Sequence, residues 1–285
     1  MKTLVLVLTL TPFAASAAPG PIDCYAAAKP LTSYPPLLCA GAADAAPAAC
    51  FPEAKRLTTT EYPALLCSGA KSDAPVACWK ASEKLTNFPA LLCAGAESDA
   101  PVSCFNAAQA VTGYPALLCS GAKSNAPLSC FKKAESLTRA AALLCSGAES
   151  DAPADCYKAA QGVTDYPALL CSGAESAAPV ECFKAAKPLT RFPALLCSGA
   201  KDASPVDCLK ASKGVTDNPD LLCSPNGALK LATREDVHSS WNLPYPYRFP
   251  HPYPLRYPFP DPKRDPSQPP PASTPPNAAA LFAGF

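Results

Sequence analysis

Sixteen cysteines stand at Cys24, Cys39, Cys50, Cys67, Cys78, Cys93, Cys104, Cys119, Cys130, Cys145, Cys156, Cys171, Cys182, Cys197, Cys208 and Cys223, and the steps between them alternate between 15 and 11 residues. One step departs from this, the 17 residues from Cys50 to Cys67. The chain therefore carries a 26-residue unit in eight copies from Cys24 to Cys223. A fixed period of this length dictates an array in which each unit covers the apolar face of the next. The period is not that of tetratricopeptide, ankyrin or armadillo repeats.

Each copy holds two sets of helix punctuation. In Ser98-Asp99-Ala100-Pro101, Ser98 or Asp99 is suited to cap a helix whose first turn tolerates proline. Behind it Val102, Phe105, Ala108 and Gln109 follow the three-to-four-residue spacing of an amphipathic helix about ten residues long. A second start, Thr112-Gly113-Tyr114-Pro115, precedes Ala116-Leu117-Leu118-Cys119, and Gly121 supplies a stop. Thr112 is the expected cap, and the helix is predicted to run for about two turns. No copy shows the period-two alternation of a strand. The predicted fold is an all-α solenoid of eight short two-helix repeats, stapled by disulfides.

Helices under about 12 residues rarely persist alone in water, so stacking must stabilise them. The aromatic or Leu after each first cysteine (Tyr25, Phe51, Trp79, Phe105, Phe131, Tyr157, Phe183, Leu209) and the Leu or Val six residues on are expected to form a continuous core. So is the Leu-Leu pair before each second cysteine.

The N-terminus bears on the compartment. Lys2, the apolar run Leu4 to Leu10 and the small residues Ala14-Ala15-Ser16-Ala17-Ala18 read as a signal peptide over residues 1–17, cut after Ala17. No stretch reaches the roughly 20 apolar residues of a membrane-spanning helix. Export, to the extracellular space or a periplasm, makes disulfides the expected state of the cysteines. Pairing across the 15-residue step uses all sixteen, whereas pairing across the 11-residue step strands Cys24 and Cys223. The 11-residue step, however, never varies, which keeps the second pairing open.

Residues 18–223 thus form the array, 224–240 a cap or linker containing a short helix over Leu229 to Val237, and 241–285 a proline-rich tail. Proline neither propagates helix nor joins a central strand, so the tail is expected to be disordered or extended. Its Tyr245-Pro-Tyr-Arg-Phe-Pro is echoed by Tyr253-Pro-Leu-Arg-Tyr-Pro, a pattern suited to a linker, with docking in a partner's groove as the other use.

No catalytic residue, cofactor site or metal site is expected. The only histidines, His238 and His251, lie outside the array. Acidic residues such as Asp73, Asp99 and Asp151 recur at helix starts, where the helix dipole explains them. The closest cysteines are eleven apart, unlike the tight spacing of thiolate metal sites. Phosphate loops, nucleophile elbows and zinc-helix motifs are missing. With 24 Lys and Arg against 23 Asp and Glu, the basic patch of a nucleic-acid binder is missing too.

Two ladders remain. Tyr34, Tyr62, Phe88, Tyr114, Tyr166 and Phe192 precede the second helix in six copies, with Ala140 and Asn218 in their place in the other two. They are a candidate binding row, or else hydrophobic staples beside their own helices. Lys71, Glu97, Lys123, Glu149, Glu175 and Lys201 occupy one turn in successive copies and are expected to form a solvated rim. The reading that follows is a monomeric, secreted, non-enzymatic repeat protein that binds an unknown protein, peptide or glycan along a solenoid surface. The alternative is a structural component of an envelope or extracellular matrix, anchored through its tail.

Overall fold

Proline and glycine divide each copy into helices of unequal length. The computed structural model describes residues 20–57 and 62–226. Helices α1 (Pro21–Ala28) and α2 (Pro35–Leu38) form the first copy, α3 (Ala46–Leu57) and α4 (Pro63–Leu66) the second, α5 (Ala74–Ser82) and α6 (Pro89–Leu92) the third, and α7 (Ala100–Ala108) and α8 (Pro115–Leu118) the fourth. The fifth is α9 (Ala126–Ala134) and α10 (Ala141–Leu144), the sixth α11 (Ala152–Ala160) and α12 (Pro167–Leu170), the seventh α13 (Ala178–Ala186) and α14 (Pro193–Leu196), and the eighth α15 (Ser204–Ala211) and α16 (Pro219–Leu222). No strand occurs among the described residues. None of their helices is long and apolar enough to cross a membrane. The expected signal peptide, the helix over 229–237 and the proline-rich tail lie outside the described residues.

The second helix is a single turn, not two. Proline opens it in seven copies, and a left-handed glycine, such as Gly121 at φ 62°, stops it three residues past its end. The caps also differ from expectation. Asp99 holds the N-cap position of α7, but its side chain makes no cap hydrogen bond; the Ser98 hydroxyl accepts from the Ala100 N–H instead. Ser72, Ser124, Ser150 and Ser176 do the same in their copies, and Asp44 and Asp202 replace the hydroxyl with a carboxylate. Thr112 likewise stands before the N-cap of α8, which is Tyr114, and accepts its N–H at 3.2 Å. Small hydroxyl side chains thus satisfy backbone donors two residues on, in the manner of an ST turn.

Eight disulfides join the long helix of each copy to its short one: Cys24–Cys39, Cys50–Cys67, Cys78–Cys93, Cys104–Cys119, Cys130–Cys145, Cys156–Cys171, Cys182–Cys197 and Cys208–Cys223. Their Cα atoms stand 5.5–5.7 Å apart, within the span a disulfide bridges. Pairing across the 15-residue step is therefore the one the fold uses, and the second copy, where the step is 17, has the longer first helix, α3 continuing to Leu57. Behind each bridge the long helix presents a small buried residue, Ala28, Ala54, Ala108, Ala134, Ala160 and Ala186, or Ser82 and Ser212. The Ser82 hydroxyl lies 3.4 Å from the sulfur of Cys93, so a larger side chain there has no room.

The second Leu of every pair, from Leu38 to Leu222, is 0% exposed and anchors a core continuous through all copies. The residue six beyond the aromatic is not uniformly part of it. Leu85, Leu189 and Val215 are exposed, whereas Leu31, Leu57, Leu137 and Val163 at the same position pack against the core.

The array closes on itself. Successive long helices pack from α1 to α15, and successive short helices pack from α2 to α16. Helix α16 then packs against α2 and α1. This last contact repeats the pairing of a short helix with the next copy's long one, as in α4 with α5 or α6 with α7. The short helix of the eighth copy thus meets the helices of the first as other short helices meet those of their successors, and the array closes into a ring.

Candidate functional site

A four-residue helix leaves most of its carbonyls without a partner of its own. In this ring the turn of the following copy supplies the donors. The backbone N–H groups of Gly95, Gly121, Gly147, Gly173 and Gly199 donate to the carbonyls of Leu66, Leu92, Leu118, Leu144 and Leu170 at 3.0–3.3 Å. The hydroxyls of Ser120, Ser146, Ser172, Ser198 and Ser224 donate to Leu91, Leu117, Leu143, Leu169 and Leu195 at 2.5–2.7 Å. The turns at 120–121, 146–147, 172–173 and 198–199 are thus bound to the helix behind them by two bonds each, and those at Gly95 and Ser224 by one. The glycine is required twice over. Its φ is positive, a region that side-chain-bearing residues enter at a cost. A Cβ on Gly147 would also stand 2.8 Å from the Ser120 carbonyl oxygen.

Because the ring closes, these turns converge. They surround a pocket of about 450 Å³ lined by residues from every copy, among them Ala40, Ser68, Ala94, Ser120, Ser146 and Gly173. The charge ladder Lys71, Glu97, Lys123, Glu149, Glu175 and Lys201 lines the same pocket. Lys71 pairs with Glu97 at 2.8 Å, Lys123 stands between Glu97 and Glu149 at 3.5 and 2.8 Å, and Lys201 pairs with Glu175 at 2.6 Å. The hydrogen bond from Lys71 and the charge of Lys123 hold the Glu97 carboxyl below its ordinary range. Glu149 and Glu97 hold the Lys123 ammonium above its own. Asp202, also on the lining, is lowered by the hydrogen bonds it makes with Ser204.

The segment after the last copy enters this pocket. Pro225 replaces the glycine of the other turns, and a Cβ on Gly41 would collide with the Pro225 backbone, so the first and eighth copies meet through glycine on one side only. The Asn226 amide nitrogen reaches the Ser172 carbonyl at 3.1 Å.

The aromatic ladder is not brought to the pocket. Tyr34, Tyr62, Phe88, Tyr114, Tyr166 and Phe192 are the N-cap residues of their short helices. Tyr62, Phe88 and Tyr166 pack against the core, and Tyr114 alone of the six is exposed. They form a ring of half-buried rings at the starts of the short helices, whereas the pocket lies beyond the ends of those helices. Among the described residues no group of three or more His, Cys, Asp or Glu is placed to hold a metal ion. One carboxylate stands apart: Asp220, where the second to seventh copies carry Ala and the first carries Pro36, is buried beside Thr190, whose hydroxyl donates to it. Burial raises its pKa, against the hydrogen bond that lowers it.

What the sequence did not disclose is that the charged ladder faces a shared interior space. The spacing establishes that these residues occupy equivalent turns. The rotation from one copy to the next depends on side-chain packing angles that a period does not encode. The only local sign is Ser224-Pro225-Asn226 in place of the usual Ser-Gly-Ala. No protein-family model matches the chain, and comparison with curated proteins and with solved structures finds no match.

Proposed function

We propose that this chain is an exported, non-enzymatic binding protein for a protein, peptide or glycan, and that its partner is engaged at the axial pocket of the ring. The observation that carries this reading is the pocket itself, about 450 Å³ and lined by all eight copies. Its volume falls in the range of natural ligand sites. Three features support binding over chemistry. The disulfide within each copy preorganises the lining, which reduces the ordering cost of association. The charged groups of the lining are engaged mainly with one another, an arrangement suited to recognition rather than to proton transfer. Eight disulfides also suit an oxidising compartment outside the cytosol.

The test is recovery of the tagged, full-length chain from its native medium, beside a variant in which Lys71, Glu97, Lys123, Glu149, Glu175 and Lys201 are all replaced by Gln. A partner held by the parent chain and lost from the variant is the expected result. Equal retention by both removes the pocket from the reading. Loss on deletion of residues 241–285 instead favours the tail-anchored structural component.

A further inference from the structure

The long helices end on a position whose charge their own geometry does not explain. Lys29 and Lys187 are the C-caps of α1 and α13, Lys55 lies in the last turn of α3, and Lys213 follows the C-cap of α15. At the same place the third to sixth copies carry Glu83, Gln109, Glu135 and Gln161. A helix C-terminus favours a cation equally in every copy, so the dipole does not select lysine in some and glutamate in others. The four lysines belong to the seventh, eighth, first and second copies. Along the chain these are the two ends, but in the ring they are consecutive, because α16 packs against α1 and α2. Closure gathers Lys187, Lys213, Lys29 and Lys55 on one arc of the rim.

The protein does not neutralise this arc itself. All four side chains are exposed, and none forms an ion pair among the described residues. The lysines one turn earlier on the same helices do: Lys184 meets Glu181 at 2.8 Å and Lys210 meets Asp207 at 3.2 Å. Those carboxylates stand in the first turns of α13 and α15, at the other end of the helix from the arc. On the loops that follow, Arg191 and Asp217 offset each other. The remaining half of the rim mixes Glu83, Glu135 and Asp165 with Lys84 and Arg139. A chain whose formal charge is only +1 therefore concentrates cations on one side of its ring.

We infer that this arc is a docking surface for a linear polyanionic glycan, whose anionic groups pair in succession with Lys187, Lys213, Lys29 and Lys55. Packed helices stand about 8–10 Å apart, so the ammonium groups recur at about the length of two linked sugar rings. The distribution of charge favours a line over a plane. A flat anionic surface laid on the rim would also press on Glu83, Glu135 and Asp165, where like charges oppose it, whereas a polymer follows the arc alone. The surface is separate from the axial pocket, whose charged residues stand on the turns after the short helices, and it does not depend on that pocket binding a ligand.

Calorimetric titration of the full-length protein with octasaccharides of hyaluronan, which carries one carboxylate per two rings, and of its sulfated counterpart chondroitin sulfate tests the arc. The expected result is saturable binding of at least one of them at low ionic strength, weakening as salt rises, with no binding of the carboxyl-reduced, uncharged hyaluronan chain. Exposed ion pairs contribute up to about fivefold apiece, so Lys29→Gln/Lys55→Gln/Lys187→Gln/Lys213→Gln should bind about a hundredfold more weakly. Lys80→Gln/Lys132→Gln/Lys133→Gln/Lys158→Gln removes the same charge from the long helices of the third, fifth and sixth copies and should bind like the parent. So should the variant with Gln at the six charged positions of the pocket, which keeps failure of the pocket distinct from failure of the arc. Equal weakening by the two lysine variants overturns the proposal, because net charge alone would then be responsible. Undiminished binding by the arc variant, or binding of the uncharged chain, overturns it as well. So does failure of both octasaccharides to bind, whether or not phosphatidylglycerol vesicles or an acidic peptide are bound in their place.

Discussion

The side-chain amide of Asn226 donates to the backbone carbonyl of Ser172 across 3.1 Å, which fastens the residue after the eighth copy to the turn after the sixth. The bond passes over the seventh copy's turn, where the amide lies against Gly199. Asn226→Ala removes one neutral hydrogen bond and is expected to cost about 0.5–1.5 kcal/mol. Hydrogen exchange checks the location: faster exchange should be confined to α16 and residues 224–226, with α7 to α10 unchanged. A uniform increase around the ring would show that the latch stabilises the whole and not its end.

Three glycines separate the two costs of a side chain in the turns. Gly113→Ala meets nothing within 4 Å and has no positive φ, so its stability should stay within about 0.5 kcal/mol of the parent. Gly69→Ala, at φ 66° with its nearest neighbour 3.8 Å away, bears the backbone cost alone, about 1–2 kcal/mol. Gly147→Ala adds a 2.8 Å approach to the Ser120 carbonyl and should be the most destabilising of the three in thermal unfolding. If Gly69→Ala and Gly147→Ala are equal, the junction between copies is not tight.

Two carboxylates should respond to pH in opposite directions. Glu97 is held below its ordinary pKa by Lys71 and Lys123, so its contribution is present above the ordinary glutamate range and is lost as pH falls through the lowered value. Asp220 is raised by burial. There the unfolded chain releases its proton first, and stability falls as pH climbs from the ordinary aspartate range through the raised value. Asp220→Ala installs the residue of the second to seventh copies and should raise the melting temperature near neutral pH by about 2–4 °C, the shift that about 1 kcal/mol gives a chain of this size. The gain should disappear in acid. A gain that persists at low pH would mean that packing, not charge, is responsible.

Removing one bridge tests the ring. Cys104→Ala/Cys119→Ala deletes a matched pair and should cost about 2–5 kcal/mol, with proteolysis appearing between residues 100 and 120. The nicked chain should still migrate as one species under native conditions, because α16 holds α1 and α2. It should separate into two pieces in denaturant without reductant, since no disulfide joins different copies. Native separation into halves would contradict closure. Thiol titration of the unreduced, denatured parent chain should find no free thiol among the cysteines.

The legible part of this fold was whatever a period and short-range chemistry control. The two helices per copy followed from proline and glycine placement, the buried second Leu of each pair from its position before cysteine, and the bridge across 15 residues from the need to use Cys24 and Cys223. Ser98 against Asp99 as the capping group was not decidable from residue type, because both oxygens reach the same donor and only backbone angle selects one. Leu85 and Leu189 were expected in the core because they are apolar, yet they are exposed while Leu31 and Leu137 at the same position pack against it, a difference that residue type does not carry. The pocket depends on the sum of eight small rotations. An error in each that is negligible for a neighbour decides whether Pro225 reaches Gly41 or misses it. The site was therefore hidden at the same point as the closure that makes it.

That closure also limits how a gene encoding such a chain can change length. In an open array a copy gained or lost by recombination between similar stretches adds or removes one segment and leaves the rest as it was. Here every copy turns the chain by one eighth of a circle, so a seventh or ninth version must alter the turn at all junctions together or leave α16 short of α1 and α2. Gly41 and Pro225, which meet where the circuit starts and finishes, would no longer approach each other. Copy number is in that sense a shape parameter, inherited as a whole rather than adjusted by increments.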